Sequence, residues 1–325
     1  MRASFKAVAI ILTSALTCAP ALAAYPDHPI KMVVAWPAGG GTDGVARLVA
    51  KVLGDKLGQS VVVDNRSGAS GIVGTDYVAR ASADGYTIQY TVADSHSINP
   101  HVFANVPYDA IKGFVPVAMV GSMPNALVIN PKVSAKTLPE FIELVKTNPD
   151  KLTYSTWGVG SGGHIRTEAF SRYAGIKMVH VPYQGSGPAL QAVLAGQVDL
   201  TIVPLSLAIN HQRAGKVRIL GVDTKERVSS APDIPTFIEQ NVPLSLSFWQ
   251  GVLVPAGTPK AAVETLQRGM AAVLKDPEAV NLLTKAGVTI GGAGIADITD
   301  LDTYLRSEYE KWGKVIKEAG IRVEN

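Results

Sequence analysis

The fold is decided by one stretch, residues 31–43, which reads Lys31-Met-Val-Val-Ala-Trp-Pro-Ala-Gly-Gly-Gly-Thr-Asp43. Its apolar first half is typical of a strand that is buried on both faces of a parallel sheet. Pro37 ends the strand, and the three glycines allow positive φ and a close approach of the backbone to a ligand. Apolar positions then recur at helical spacing up to Leu57. The stretch predicts a strand, a tight loop and a helix.

The N-terminus of this helix is a candidate anion site. The first N–H groups of a helix have no partner within it, and the peptide dipole attracts a carboxylate or a phosphate to that end. The residues placed at this helix start are Gly39, Gly40, Gly41, Thr42 and Asp43, and Trp36 ends the strand before them. Asp43 is either a ligand contact or only a helix cap, and the glycines alternatively provide turn chemistry alone. The loop lacks a P-loop lysine and dinucleotide-fingerprint spacing, which makes a nucleotide a poor fit.

The N-terminus of the chain has the features of a signal peptide. Two basic residues precede an apolar run, and Ala21-Leu22-Ala23 offers a small-x-small cleavage site. We expect residues 1–23 to be removed, giving a secreted mature chain that starts near Ala24. Cys18, the only cysteine, would leave with the signal peptide, so no disulfide framework is expected.

Composition excludes several classes of function. Removal of residues 1–23 leaves 302 residues with a formal net charge of +1, compared with +3 for the whole chain. This near balance and an aromatic content of 6% argue against a nucleic-acid surface. The histidines are scattered and no cysteine remains beside them, so we expect no metal and no cofactor.

Strands and helices alternate along the chain, which predicts a doubly wound α/β sheet with its ligand crevice at the carboxyl ends of the strands. A loop at 93–100, which contains Ser95, is expected at that edge. A change of pattern near residues 120–125 indicates a crossover into a second domain, and an apolar strand at 248–255 returns to the first. The predicted domains are residues 24–122 plus 246–325, and residues 123–245.

The second domain contains a similar strand, glycine loop and helix. The expected site residues there are Trp157, Gly158, Gly160, Ser161, His164, Tyr183 and Asp199. Two glycine-rich helix starts, one per domain, would grip one anion from both sides. Trp157 and Tyr183 either line a pocket or only pack between layers. His164 either acts as a general base or orients its neighbours. Asp199 either binds an amino group of a ligand or forms hydrogen bonds at a strand end.

Catalytic patterns are incomplete. Val159 precedes Gly160-Ser161-Gly162, so the Gly-x-Ser-x-Gly elbow of a hydrolase is missing. We therefore expect a binding protein with no catalytic residue. A secreted enzyme that acts on a carboxylate is the alternative.

With these features the chain resembles the Bug-type periplasmic solute receptors of the tripartite tricarboxylate transporter family. The resemblance extends over essentially the whole mature chain. The matching runs are Val-Val-Ala-Trp-Pro-Ala-Gly-Gly-Gly-Thr-Asp43, Val-Val-Val-Asp-Asn-Arg-Ser-Gly-Ala-Ser-Gly71, Asp84-Gly-Tyr-Thr87, Gly158-Val-Gly-Ser161 with His164, Val181-Pro-Tyr-Gln-Gly185, Gly196-Gln-Val-Asp199, Pro232-Asp-Ile-Pro-Thr236 and the 249–259 segment.

The resemblance implies a type II periplasmic binding protein fold, in which two doubly wound domains close on a small carboxylate. Such a receptor is expected to be a monomer that delivers a dicarboxylic, tricarboxylic, aromatic or amino acid to a membrane permease. An alternative is a sensor that docks onto a membrane signalling protein. The family's carboxylate contacts, carried onto this sequence, are Gly39, Gly40, Gly41 and Thr42 with Gly158, Gly160, Ser161 and His164.

Two tryptophans depart from the family pattern. Trp36 stands where phenylalanine is common, and Trp157 stands where small residues are usual. If both rings face the cleft, they narrow it or offer flat surfaces on which an aromatic acid stacks.

Overall fold

A computed structural model describes residues 25–246, 248–290 and 301–322 of the chain. The predicted signal peptide at residues 1–23 lies outside these ranges. Within them, no helix combines the length and the apolar character that a bilayer crossing requires.

Ten strands of the described chain form two five-stranded sheets. The strands are β1 (Ile30–Val34), β2 (Val61–Asn65), β3 (Thr87–Val92), β4 (Phe114–Ser122), β5 (Asn125–Ile129), β6 (Thr153–Thr156), β7 (Val179–Pro182), β8 (Leu200–Pro204), β9 (Arg218–Val222) and β10 (Trp249–Pro255). The first sheet has the order β2-β1-β3-β10-β4 and the second β7-β6-β8-β5-β9. In each sheet the first three strands are parallel and the fourth is antiparallel.

Helices connect the strands of both sheets, as parallel pairing requires. They are α1 (Gly41–Leu57), α2 (Ile72–Ala79), α3 (Asn99–Val102), α4 (Leu138–Thr147), α5 (Gly162–Ala174), α6 (Ser186–Leu194), α7 (Leu205–Arg213), α8 (Lys260–Lys275), α9 (Pro277–Lys285) and α10 (Leu301–Ala319). Two sheets with connecting helices confirm the predicted α/β class.

Two connections cross between the sheets and contact each other. Met123 and Pro124 join β4 to β5, and residues 223–248 join β9 to β10. The Asp223 carboxylate accepts a hydrogen bond from the Asn125 N–H at 2.8 Å, and the Met123 N–H donates to the Phe248 carbonyl at 3.0 Å. The exact residues of the domain boundaries stay a prediction, although each sheet draws its strands from the expected parts of the chain.

The segment after β3 differs from the prediction. Residues 93–100 were expected to form a loop, but residues Asp94–Ile98 form a π-helical turn that continues into α3. Its polar side chains, which suggest a loop, are buried, and several are hydrogen-bonded to distant parts of the protein. The Trp249 indole donates to Ser97 Oγ at 3.1 Å, for example. Partners distant in sequence therefore stabilise a helical conformation that the local sequence does not predict.

The C-terminal helix α10 packs on both parts of the molecule. Trp312 and Ile316 belong to a buried cluster with Ile98 and Val102 from the region after β3, and with Ile165 from α5. The apolar residues of this last helix thus lie against the region where the two sheets meet.

Candidate ligand cleft

The N-terminus of α1 has the form that the sequence predicts for an anion site. Gly40, the N-cap residue, provides no side-chain cap. The N–H groups of Gly41, Thr42 and Asp43 therefore donate to no side chain of the N-cap residue, and they have no partner within the helix. Gly39 has a φ of +79°, a left-handed conformation that glycine adopts without strain.

Asp43 supports this loop from inside the protein and lines neither of the cavities described below. Its carboxylate accepts hydrogen bonds from the Gly39 N–H at 2.9 Å, from Arg47 Nε at 2.9 Å and from Asn65 Nδ2 at 2.8 Å. Burial opposes the ionisation of Asp43, but these bonds outweigh it and hold the pKa of its carboxyl below the usual value. The structure thus places Asp43 as a support for the loop.

A second uncapped helix N-terminus belongs to α6. Its N-cap, Gly185, has a φ of +111° and provides no side-chain cap. Pro188 in the first turn has no N–H, so Ser186 and Gly187 carry the free donors at this end. We did not expect a ligand site here from the sequence. The signal was present in the glycine-rich run 183–189, which directly precedes and opens a helix.

The two helix ends line one cavity, whose volume is about 150 Å³. Residues 39–42 form one side of it and residues 184–188 form another. The remaining wall is mainly apolar and aromatic, and consists of Trp36, Pro37, Ala38, Trp157, Pro204 and Phe248. A cavity of about this volume holds a molecule of the size of benzene.

A second cavity of about 300 Å³ adjoins the first and shares Trp36 and Trp157 with it. Hydroxyl and amide side chains contribute to its lining, among them Ser67, Ser70 and Tyr183. The Ser70 hydroxyl donates to the Val159 carbonyl at 2.7 Å, so a hydrogen bond connects the two sides of the cleft.

The walls of both cavities are uncharged. Among the described residues that line them, none is Asp, Glu, His, Lys or Arg. A charged ligand group would therefore be met by backbone N–H groups and helix ends rather than by a counter-ion. These walls also offer no carboxylate or imidazole as a general acid or base.

Both tryptophans singled out in the sequence line the two cavities. Trp36 is 9% exposed and Trp157 is 5% exposed. The Trp157 indole N–H donates to Asp94 Oδ2 at 3.0 Å. The Trp36 indole nitrogen is buried and has no hydrogen-bond partner in the described part of the chain, so it is a donor that a ligand or a water can use.

The glycine loop before α5 was expected to hold the ligand from the second domain, but most of it lies outside the cavities. Gly158 lines only the second cavity, and Gly160, Ser161 and His164 line neither. Ser161 is fully buried, and its hydroxyl donates to the Gly158 carbonyl at 2.7 Å while it accepts from the His164 N–H at 3.4 Å. Ser161 thus caps α5.

A carboxylate of the protein already occupies the N-terminus of α5. Asp94 Oδ1 lies against Gly162, where an added Cβ would be only 2.4 Å from it. Burial raises the pKa of Asp94, although Trp157, Arg166 and the Gly162 backbone act in the opposite direction. The buried Asp94 carboxylate and the Ser161 cap thus take up the α5 end, whereas the α6 end has no side-chain cap.

His164 supports the loop through its ring. Its Nδ1 accepts a hydrogen bond from the Gly160 N–H at 3.1 Å, and the ring stacks on His180 with centroids 4.2 Å apart. Burial lowers the pKa of both imidazoles to about 4. Both rings are consequently neutral at pH 7, which the acceptor role of His164 requires.

The remaining expected site residues do not lie together in the structure. Ser95 is buried and lines neither cavity, whereas Tyr183 lines the second one. Asp199 accepts from the Thr153 N–H at 2.7 Å and from its hydroxyl at 3.0 Å. These bonds lie at the N-terminal ends of β6 and β8, away from the carboxyl ends where the cleft lies. Of the two interpretations of Asp199, the structure thus fits the one in which it forms hydrogen bonds at a strand end.

Comparison with known proteins identifies the family. Residues 45–321 match the model of the tripartite tricarboxylate transporter family receptor, TctC. The chain belongs to this family. The predicted resemblance is thereby confirmed, and with it the expectation of a periplasmic binding protein fold.

Several known proteins match this chain over nearly their whole length. BugT of Bordetella pertussis is 34% identical over 319 residues, which cover 97% of each chain. The R. palustris protein Rpa4515, solved with adipate, is 34% identical with a TM-score of 0.87, covering 92% of this chain and 100% of that one. MatC from Rhodopseudomonas palustris, solved with bound malate, is 30% identical with a TM-score of 0.84, covering 90% and 100%.

Proposed function

We propose that this chain is an extracytoplasmic solute receptor that binds a small carboxylate in the periplasm and delivers it to a tripartite tricarboxylate permease. The observation that supports this most strongly is the pair of uncapped helix N-termini, of α1 and α6, which line one uncharged cavity. The predicted signal peptide and the family membership agree with this role.

The chemistry of the cavity favours a carboxylate. Each hydrogen bond between a backbone N–H and a charged acceptor contributes about 1.5–3 kcal/mol, and the two helix dipoles add to the attraction. A carboxylate has two oxygens, so one group accepts from both helix ends. Since α1 follows a strand of the first sheet and α6 a strand of the second, such a ligand binds the closed form better and shifts the population towards it.

The cavity walls narrow the choice of acid. With no acidic side chain among the described lining residues, the ammonium group of an amino acid finds no counter-ion. Trp36, Trp157 and Phe248 offer aromatic surfaces, so an aromatic or flat acid belongs beside the aliphatic dicarboxylates in any ligand screen. Trp157→Ala is expected to change the ranking of aromatic against aliphatic acids, and an unaltered ranking would remove this idea.

A thermal-shift screen of the mature protein, stripped of co-purified ligand, tests the proposed function. At about 100 times its dissociation constant, an acid adds about 2.7 kcal/mol of stability and raises the melting temperature by several degrees. The neutral carboxamide of the same acid is the matched control and is expected to give no shift. An equal shift from acid and amide, or no shift from any mono-, di- or tricarboxylate, would contradict the proposal.

The enzymatic alternative predicts a different result with the same material. A receptor returns its acid unchanged after prolonged incubation, whereas an enzyme consumes it. If NMR shows that the bound acid is converted, the protein is a secreted enzyme and not a receptor.

A further inference from the structure

The orientation of the Trp157 ring is fixed from several sides. Its indole N–H donates to Asp94, and Phe248 packs edge-on with ring centroids 6.0 Å apart. The ring also lies on the first turn of α5, where an added Cβ at Gly163 would be 2.6 Å from its Cε3 atom. Because Trp157 lines both cavities, a rotation of this ring would change the shape of both.

Asp94 reaches Trp157 from the other sheet. It follows β3 of the first sheet, whereas Trp157 follows β6 of the second. The Asp94 side chain is 0% exposed, and its two oxygens face Trp157 and the start of α5 at Gly162. One buried carboxylate therefore links the first sheet to a wall of the ligand cavity and to the helix behind that wall.

Arg166 connects this contact to the segments that cross between the sheets. Its Nε donates to Asp223 Oδ2 at 2.8 Å, and its Nη2 donates to the Leu246 carbonyl at 3.3 Å. The side chains of Arg166 and Asp223 are 1% and 2% exposed. Since Asp223 and Leu246 lie in the connection from β9 to β10, a rotation of one sheet relative to the other alters the surroundings of Arg166, and Arg166 acts on Asp94 through its charge.

We propose that Asp94 is the positioning residue for Trp157: its carboxylate holds the indole ring in place only when the two sheets are close together. Closing of the cleft and shaping of the ligand cavity then occur in one step. This role applies to any ligand of the cavity and does not require that the ligand be a carboxylate.

Both partners of this bond, the Asp94 carboxylate and the Trp157 indole N–H, are shielded from water. A hydrogen bond is stronger where water is excluded, and Asp94 and Trp157 are both buried. If the Asp94 acceptor is lost, the Trp157 N–H is left buried without a partner unless the cleft opens and water reaches it. Loss of the bond therefore favours the open form.

The chain contains a matched control for this bond. Trp249 is 1% exposed, and its indole N–H also donates to a buried side chain, Ser97 Oγ, at 3.1 Å. Trp249 and Ser97 both lie on the first-sheet side of the cleft, and Trp249 lines neither cavity. Opening of the cleft should thus affect the Trp157 N–H and leave the Trp249 N–H protected.

Indole N–H exchange with D₂O, followed by ¹H–¹⁵N NMR on the ligand-free mature protein, tests the proposal. Resonances are assigned from single Trp→Phe variants. In Asp94→Ala we expect the Trp157 N–H to exchange about tenfold faster or more, as loss of one such bond implies. The Trp249 N–H should keep its wild-type rate. Asp94→Asn, which keeps the side-chain shape, is expected to give a smaller acceleration and serves if the alanine variant does not fold.

Small-angle scattering provides a second readout. Trp157→Phe keeps an aromatic ring but removes the donor, and is expected to increase the radius of gyration of the ligand-free protein. Trp249→Phe removes the matched donor and should leave the radius of gyration unchanged. Equal Trp157 exchange in wild type, Asp94→Ala and Asp94→Asn, or identical scattering of Trp157→Phe and wild type, would overturn the proposal. None of these measurements uses an acid, so a failed ligand screen would not decide them.

Discussion

Gly41 offers a backbone N–H at the first position of α1, where a single substitution can remove it. Proline is favoured at this position, and Gly40 already has the extended conformation, with φ of −77° and ψ of 167°, that a following proline requires. Gly41→Pro should therefore keep α1 intact and delete one donor to the carboxylate. We expect the affinity for the acid to fall by about 10- to 100-fold in isothermal titration.

Lys260→Pro is the matched control for this substitution. Lys260 is the first residue of α8, its side chain is 90% exposed, and Pro259 before it has an extended conformation with ψ of 135°. The acid should bind Lys260→Pro with wild-type affinity. Equal affinities for the two proline variants would mean that the Gly41 N–H does not contact the ligand.

The buried imidazoles make the stability of the fold depend on pH. Burial lowers the pKa of His96, His164 and His180 to about 4, compared with about 6.5 in an unfolded chain. The unfolded state therefore binds these protons first, so the stability that they contribute is complete above about pH 6.5 and is lost as the pH falls towards 4. We expect the melting temperature to decrease over this window.

The variant His164→Gln isolates this effect from that of the carboxyl groups. Its melting temperature should depend less steeply on pH between 6.5 and 4 than that of the wild-type protein. Parallel curves for the two proteins would show that His164 is not held neutral by the fold.

At the scale of elements, α5 and α4 provide a direct comparison of two helix caps. Ser161 caps α5, and Thr137 caps α4 by accepting from the Glu140 N–H at 3.3 Å. Replacing either by alanine should lower the free energy of unfolding by about 1 kcal/mol, measured in urea. Neither variant should change the affinity for the acid. If Ser161→Ala alone weakens binding while its stability is unchanged, the ligand binds at the N-terminus of α5.

These helices also show which elements the sequence predicts well. The start of α4 is recognisable because Thr137, Pro139 and Glu140 are close together and their bonds are local. The strand, loop and helix around Gly41 are recognisable for the same reason: proline, glycine and apolar spacing act within a few residues.

The choice between α5 and α6 as the second anion site could not be predicted locally. Both helices follow a strand and a glycine-containing loop. The difference lies in Asp94, which comes from the first sheet and occupies the α5 end, whereas α6 has no such partner among its described contacts. The helical turn at residues Asp94–Ile98 depends on distant partners in the same way.

At the scale of the whole molecule, the buried pair of Arg166 and Asp223 joins α5 to the segment that crosses between the sheets. Removal of one member of such a pair leaves an uncompensated charge in a dry site. We expect Arg166→Met to lower the free energy of unfolding by about 3–5 kcal/mol. The double variant Arg166→Met/Asp223→Leu should recover part of this loss, because it removes the stranded carboxylate at position 223.

Urea unfolding of the single and double variants measures both effects. A loss below about 1 kcal/mol in Arg166→Met would contradict the importance of this pair, since that is the range of an exposed salt bridge. The sequence did not predict the pair: Arg166 and Asp223 are 57 residues apart and belong to no shared motif. The two-sheet arrangement, by contrast, follows from the alternation of strands and helices and from the family resemblance.

The central claim is that α1 and α6 hold one carboxylate between their N-termini, and a crystal structure of the mature protein with the tightest acid from the screen tests it most directly. We expect carboxylate oxygens about 2.7–2.9 Å from the backbone nitrogen of residue 41 or 42 and from that of residue 186 or 187. A carboxylate bound instead at the loop of residues 158–161, or at only one of the two helix ends, would contradict it.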